Sequence, residues 1–281
     1  MIKNYILSKV VSEIEQKMTF SVNNKVEKSI IDRLRSEGCI FAEEEARLLI
    51  SEAGSIEDLM KMVEKRASGL PLEYVLGFAN FCGARIEVKK GVFVPRQRTK
   101  FLVQQTVALT RNNEIVVDLC CGSGAVGAVI TTNFHNISLH SVDIDPIAVQ
   151  CASCNISNIG GHVYIGDLYE ALPHSLKGRV NIIVSNAPYV PTDAIKLLPQ
   201  EARLYEPKQT LDGGKDGLDL QRKVAEQASH WLAPGGHLLV ETSEFQAAQT
   251  FAIFENTGLA TKIAKDDELD ATVVIGTNYG Y

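Results

Sequence analysis

The segment "SNAPYVP", Ser185 to Pro191, follows an unbroken apolar run, "VNIIV", Val180 to Val184, which reads as a strand buried on both faces. A carboxamide, a proline and a tyrosine at the end of such a strand put polar groups where the core meets solvent. The Asn186 side-chain oxygen accepts hydrogen bonds. The residue before Pro188 is restricted to extended geometry, which turns the Ala187 carbonyl outward. Two acceptors side by side suit a planar NH2 group with its two donors, and Tyr189 offers a face for that group to lie on. Asn186, Ala187, Pro188 and Tyr189 are therefore a candidate clamp for an amide or aromatic amine, with Asn186 and Tyr189 as candidate catalytic residues. The plainer alternative is an Asx-turn with Tyr189 simply packed.

A second constellation lies upstream. "VVDLCCGSGAVGAVI" contains Gly122, Gly124 and Gly127 as a G-x-G-x-x-G between a strand and a helix. Such glycines let the chain turn tightly and let a ligand approach the backbone at the positive end of the next helix. The pattern serves dinucleotides and S-adenosylmethionine alike. Asp118 helps to separate them, because a carboxylate there attracts the cationic amino-acid part of S-adenosylmethionine and repels a pyrophosphate; its alternative role is to brace the loop. Asp143 ends the next strand, where an acid can accept from both ribose hydroxyls. Asp145 precedes Pro146 and reads as a helix N-cap. Asp167 ends the third strand, either to reach an adenine amine or to cap the following turn, and Leu168 beside it packs on the adenine face or in the core.

These residues need a scaffold. From residue 114 onward, "EIVVDL", "SLHSVDI", "HVYIGD", "VNIIVSN", "GHLLVET" and "TVVIGTN" are short apolar runs, separated by helical stretches such as "PIAVQCASCNIS" and "DLQRKVAEQASHWL". That alternation predicts an α/β fold, a mainly parallel sheet covered by helices on both faces. The first seventy residues read as amphipathic helices only. "MIKNYILSKVVSEIEQK" is one; another carries Val22, Val26, Ile30 and Leu34 at helical spacing and stops at Gly38; a third opens with Ser55 three residues before Asp58, a capping-box pattern. Between the two patterns, the turn glycines and alternating β-branched or aromatic residues of "LPLEYVLGFANFCGARIEVKKGVFVPRQRT" suggest a hairpin linking two modules. The expected organisation is a helical substrate-recognition domain over 1–75, a β-hairpin linker over 76–98 and an α/β domain over 99–281.

The chain has 281 residues and a formal charge of −6. This argues against a surface built to neutralise many phosphates, so no direct nucleic-acid partner is expected. No apolar run is long enough to span a bilayer and no secretory signal is visible; the expectation is a cytoplasmic monomer. The six cysteines have no framework spacing. Cys151 and Cys154 form a C-x-x-C within one predicted helix, but no second ligand pair completes a metal site, and buried structural thiols are expected.

Taken in order, "PLEYVLGFANFCGARIEVKKGVFVPRQRT", "DLCCGSGAVG", "SVDIDPIAV", "IIVSNAPYVP", "LYEPKQTLDGGKDGLD" and "LAPGGHLLVE" resemble the HemK/PrmC-type protein glutamine methyltransferases over residues 70 to 281. The resemblance implies a Rossmann-like methyltransferase sheet and S-adenosylmethionine as cofactor, contacted by Gly122, Gly124, Asp143, Leu168 and Asn186. It also implies a protein partner whose glutamine amide is held by Asn186, Ala187, Pro188 and Tyr189. The family usually has proline at the position of Ala187. It also carries two acids and a proline in the linker where this chain has Gln97, Arg98 and Lys100, while Arg96 and Thr99 are retained. The reversed charge implies a partner with acidic residues near its glutamine rather than a release factor. A nucleic-acid amino-methyltransferase, a methyltransferase for a small-molecule amide, and a binding protein without transfer activity are the competing readings.

Overall fold

The computed structural model describes residues 22–280; the helix expected at 1–17 lies outside the described residues. The chain divides into two compact units, Met1–Leu76 and Gly77–Tyr281.

The described part of the smaller unit is helical: α1 (Asn24–Ser36), α2 (Ala42–Glu52), α3 (Ile56–Ala67) and the short α4 (Leu72–Leu76). Helix α1 begins where Asn23 accepts from the backbone N–H groups of Lys25 and Val26, and carries Arg33 and Arg35 in its last turn, where cations complement the helix dipole. At the start of α3, Ser55 Oγ accepts from Asp58 N–H at 3.1 Å. The Asp58 carboxylate takes the N–H of Gly54 in return, one residue earlier than a standard capping box places it. Ile30, Leu34, Leu49, Leu59 and Val63 form the interior. Against it sits a bidentate ion pair, in which Arg66 Nε and Nη2 donate to Glu45 at 2.6 and 3.1 Å.

The larger unit opens with a hairpin, β1 (Phe78–Phe81) and β2 (Ala84–Glu87), then α5 (Thr99–Leu109). Its sheet is built from β3 (Ile115–Leu119), β4 (Ser138–Asp143), β5 (His162–Ile165), β6 (Val180–Ser185), β7 (Leu232–Thr242), β8 (Ala260–Asp266) and β9 (Ala271–Thr277), in spatial order β5-β4-β3-β6-β7-β9-β8. Strands β3 to β7 run parallel to one another, whereas β9 runs antiparallel to β7 and to β8. The helices are α6 (Ala125–Thr132), α7 (Pro146–Ile156), α8 (Gln200–Tyr205), α9 (Asp219–Trp231) and α10 (Ala247–Asn256). Val116, Val117, Leu139, Ile182, Ile183 and Leu239 are buried, as expected for strands covered on both faces. Strand β8 is the one the apolar pattern misses. It pairs on one side only and most of its side chains face solvent, so it lacks the hydrophobic signal of its neighbours.

The strand order decides where chemistry sits. From β3 the chain moves outward through β4 and β5, then returns to place β6 on the other side of β3. Such a reversal opens a crevice between the carboxyl ends of the two central strands, where ligands of open α/β sheets bind. Asp118 is the penultimate residue of β3, and Ser185 ends β6 with Asn186 next in the chain. Among the described residues no helix is long and apolar enough to cross a membrane.

Candidate active site

Each wall of the crevice is built by a strand end. Asp118, the penultimate residue of β3, is buried, and its Oδ2 accepts from Gly127 N–H at 3.0 Å. Burial is the main cause that pushes its carboxyl up to about 7, with the charge of nearby Asp143 adding to the rise and the Gly127 bond opposing it. The side chain braces the loop and also lines the cleft. Asp143, at the end of β4, accepts from Gly122 N–H at 2.8 Å and from Asp145 N–H at 2.9 Å, and its carboxyl too is raised by burial. Asp145 is the N-cap of α7, accepting from Ile147 N–H at 2.8 Å, with Pro146 in the first turn.

The three glycines have different jobs. Gly122 lies on the cleft wall with φ +56° and nothing within 4 Å of a Cβ placed there. Gly124 and Gly127 do not line the cleft. A Cβ on Gly124 would lie 2.6 Å from Ile156 Cδ1, and one on Gly127 would lie 3.0 Å from both Asp118 Oδ2 and Leu139 Cδ1. They let α6 pack closely on β3, β4 and α7.

Asp167 precedes a 3-10 turn (Leu168–Ala171) but makes no side-chain cap bond to it, and its side chain lines the cleft. Leu168 lines the cleft beside it, held at φ +46°, a left-handed backbone that is rare for leucine. The cleft encloses about 970 Å³ including its open mouth, and Phe81, Phe93, Cys120 and Gln209 are among its walls. Gln209 Nε2 donates to Asp145 Oδ2 at 2.7 Å, tying the "LYEPKQTLDGG" segment across the end of α7.

The clamp stands at the junction of this cleft with a second groove. Asn186 and Pro188 line both, whereas Ala187, Tyr189, Arg96 and Arg98 line only the outer one. Asn186 Nδ2 donates to Thr99 Oγ1 at 3.2 Å. Among the described residues no protein donor reaches Asn186 Oδ1 or the Ala187 carbonyl. Both acceptors of the clamp are unspent. Tyr189 O–H donates to Glu241 Oε1 at 3.2 Å, and burial is the main reason its phenol is raised.

The clamp is held from behind. Gln246 Nε2 donates to the carbonyls of Tyr189 and Asp216, both at 2.9 Å. Val190 N–H donates to Leu211, and Gly213 N–H donates back to Val190. The glycines of "LDGGKDGLD" are required there, because a Cβ on Gly213 would lie 2.7 Å from the Pro188 carbonyl and one on Gly217 would lie 2.3 Å from that of Tyr189. Glu206 upstream is buried and takes both Arg96 Nη2 contacts at 2.6 Å, anchoring the linker. Arg98 approaches Glu241 at 3.9 Å, and Lys100 does not line the groove.

Glu241 is the functional candidate that the spacing of motifs does not reveal. It is 2% exposed and its carboxyl is raised by burial, with Thr99, Arg98 and Tyr189 opposing the rise. One signal was available, a lone acid in the apolar run "GHLLVET". Cys151 donates to the Glu87 carbonyl at 3.2 Å, and both it and Cys154 are free thiols. No group of three or more His, Cys, Asp or Glu side chains placed to hold a metal occurs among the described residues.

Sheet order, glycine loop and clamp together define a methyltransferase fold. The family model "Methyltransferase small domain" matches residues 84–214. A "Release factor glutamine methyltransferase" from Geobacter sulfurreducens is 34% identical over 221 residues, covering 78% of this chain and 77% of the relative. The chain belongs to the HemK/PrmC-type family of protein glutamine methyltransferases. A "4-amino-L-phenylalanine/4-methylamino-L-phenylalanine methyltransferase" from Streptomyces pristinaespiralis is 31% identical, over 70% of this chain and 69% of its own. A methyltransferase structure from Pyrococcus furiosus superposes with a TM-score of 0.55 at 18% identity, covering 71% of this chain and 91% of that one, a likeness of fold.

Proposed function

We propose that this protein transfers a methyl group from S-adenosylmethionine to the side-chain amide nitrogen of a glutamine in a protein partner. The observation that carries the reading is the position of Asn186. It stands where the cofactor-sized cleft meets the outer groove, and its Oδ1 is unspent.

The cleft suits the cofactor. Asp167 offers a carboxylate without a cap bond to an adenine amine, and Leu168 an apolar face to the ring. Asp143 retains lone pairs for ribose hydroxyls beyond its two backbone bonds, and Asp118 offers a countercharge to the amino-acid portion. Gly122 allows the loop to approach without a side chain in the way. Bound there, the cofactor supplies an electrophilic methyl on a sulfonium.

The chain's own residues then do the orienting. An amide nitrogen is a poor nucleophile because its lone pair is delocalised, so alignment matters more than a strong base. The two N–H groups of a glutamine amide donate to Asn186 Oδ1 and to the Ala187 carbonyl, which turns the nitrogen toward the cleft. Tyr189 supports the amide plane. Loading both N–H groups with acceptors stabilises positive charge as it builds on nitrogen, and one of the two N–H protons leaves to solvent once the methyl has moved and the thioether has been released. Because the carbonyl is backbone, alanine serves at 187 as proline does in relatives.

Arg98 on the groove wall favours a partner with acidic residues beside its glutamine. The relative acting on 4-amino-L-phenylalanine supports a second reading, a small aromatic amine bearing a carboxylate for Arg98. Incubation with methyl-labelled S-adenosylmethionine and three competing substrates separates these. A release factor, a glutamine peptide with acidic flanks and an arylamine amino acid are offered together. The acidic peptide is expected to take most label; label confined to the arylamine would replace the proposal by the second reading.

A further inference from the structure

The loop that carries the clamp is pinned on both sides of Ala187. Upstream, Ser185 Oγ donates to the Leu119 carbonyl at 3.0 Å. Downstream, Gln246 Nε2 donates to the Tyr189 carbonyl at 2.9 Å, and Val190 N–H donates to the Leu211 carbonyl at 3.0 Å. Between these anchors one backbone donor is unused. Among the described residues no acceptor takes the Ala187 N–H, although the residue is 1% exposed and lies on the wall of the outer groove. Buried backbone N–H groups without a partner are rare. One held rigidly beside the clamp's two acceptors is placed to meet an acceptor that the substrate brings.

The direction of that N–H follows from the backbone. Pro188 restricts Ala187 to extended geometry, and in an extended residue the N–H and C=O leave the same edge of the chain, as in a paired strand. Ala187 therefore offers a donor and an acceptor side by side. One edge of a primary amide has the matching pattern, since its carbonyl oxygen accepts and the N–H on the same side donates. An amide seated this way meets Ala187 through both atoms of that edge and keeps its second N–H for Asn186 Oδ1. An arylamine brings two donors and no oxygen. It satisfies the two acceptors but covers the Ala187 N–H without pairing it, and a buried donor left unpaired weakens binding.

We propose that Ala187 is a specificity-determining residue, whose N–H receives the carbonyl oxygen of the substrate amide and so selects carboxamides over amines that lack an adjacent acceptor. The inference rests on the proposed clamp and adds a third contact to it. Proline, usual at this position in the family, keeps the carbonyl and has no N–H, so the third contact distinguishes this chain. Ala187→Pro removes that donor and no other polar group.

One arm of the test is independent of turnover. The full-length protein, labelled with nitrogen-15 alanine and saturated with S-adenosylhomocysteine, is titrated with propionamide and with butanone. The Ala187 amide signal is assigned by its loss in Ala187→Gly. Both compounds carry the carbonyl oxygen, and both are expected to move the Ala187 amide proton downfield. An Ala187 amide proton that neither compound moves would overturn the proposal, whatever the protein methylates. In the kinetic arm, a glutamine peptide with acidic flanks competes with 4-amino-L-phenylalanine for methyl transfer. Ala187→Pro should reduce the preference for the peptide about threefold to tenfold, the worth of one hydrogen bond, and mainly through KM. The Kd for S-adenosylhomocysteine should stay within about twofold, and Ala187→Gly, which keeps the N–H, should keep the preference. An unchanged preference in Ala187→Pro would also overturn the selective role. A wild-type protein that methylates no glutamine, with the Ala187 signal responding to propionamide and butanone, would refute the substrate reading while supporting the donor.

Discussion

Replacing Gly217 by alanine tests whether the clamp depends on the segment behind it. Gly217 has φ +80°, and a Cβ there would lie 2.3 Å from the Tyr189 carbonyl, 2.4 Å from Gln246 Nε2 and 3.1 Å from Pro191 N. Two of these three atoms are backbone and cannot swing away. The left-handed conformation alone costs about 1–2 kcal/mol for a non-glycine residue. Displacing the clamp backbone adds about 1–3 kcal/mol, by analogy with overpacked cores. Losing the Gln246 bond to Tyr189 adds about 1 kcal/mol. The sum is roughly 3–6 kcal/mol. Gly178 provides the control, since its φ is +70° with nothing within 4 Å of the added atom, so Gly178→Ala should show the backbone cost alone, about 1–2 kcal/mol. Trp231 is the single tryptophan and is buried in α9, so its fluorescence during urea unfolding follows the larger unit by itself. Gly217→Ala should be destabilised by about 2–4 kcal/mol more than Gly178→Ala. It should also lose methyl transfer, while keeping its affinity for S-adenosylhomocysteine. Equal destabilisation of the two variants would refute the claim that this glycine is required by the back of the clamp.

Three further outcomes are expected. Asn186→Ala should lower kcat by about a hundredfold or more, as for loss of one preorganised polar contact at the reacting centre, with a much smaller change in cofactor affinity by calorimetry; full turnover would remove the clamp. Asp118, raised to about 7 by burial, is neutral below that pH and charged above it, so affinity for the cationic cofactor should rise as pH increases from 6 to 8, by up to about tenfold, and the rise should vanish in Asp118→Asn. A chain beginning near residue 77, if Trp231 fluorescence shows it folded, should retain cofactor binding and lose methylation of a folded protein partner; undiminished activity on that partner would exclude substrate recognition by the helical unit.

Much of the site is legible in the sequence because strand ends carry distinctive punctuation. Asp143–Ile144–Asp145–Pro146 specifies both a strand end and a helix cap, and the apolar run before Asn186 specifies a central strand. Gly124 and Gly127 show where local pattern stops. The same glycines that mark a ligand loop are demanded here by Ile156, Leu139 and Asp118 packing against α6, and only the assembled layers reveal it. Glu241 was readable as an anomaly, but its partner Tyr189 is 52 residues away in the chain, a juxtaposition made by strand order. Strand β8 was unreadable for the opposite reason: an edge strand needs little apolar surface.

The most direct test is to localise the transferred group. A protein or peptide presenting a glutamine with acidic neighbours is incubated with the enzyme and S-adenosylmethionine bearing a deuterated methyl, and the product is fragmented in a mass spectrometer. The label is predicted on the side-chain nitrogen of that glutamine, and predicted to be lost with Asn186→Ala. A label on a main-chain nitrogen, on another side chain, or undiminished without Asn186 would contradict the account.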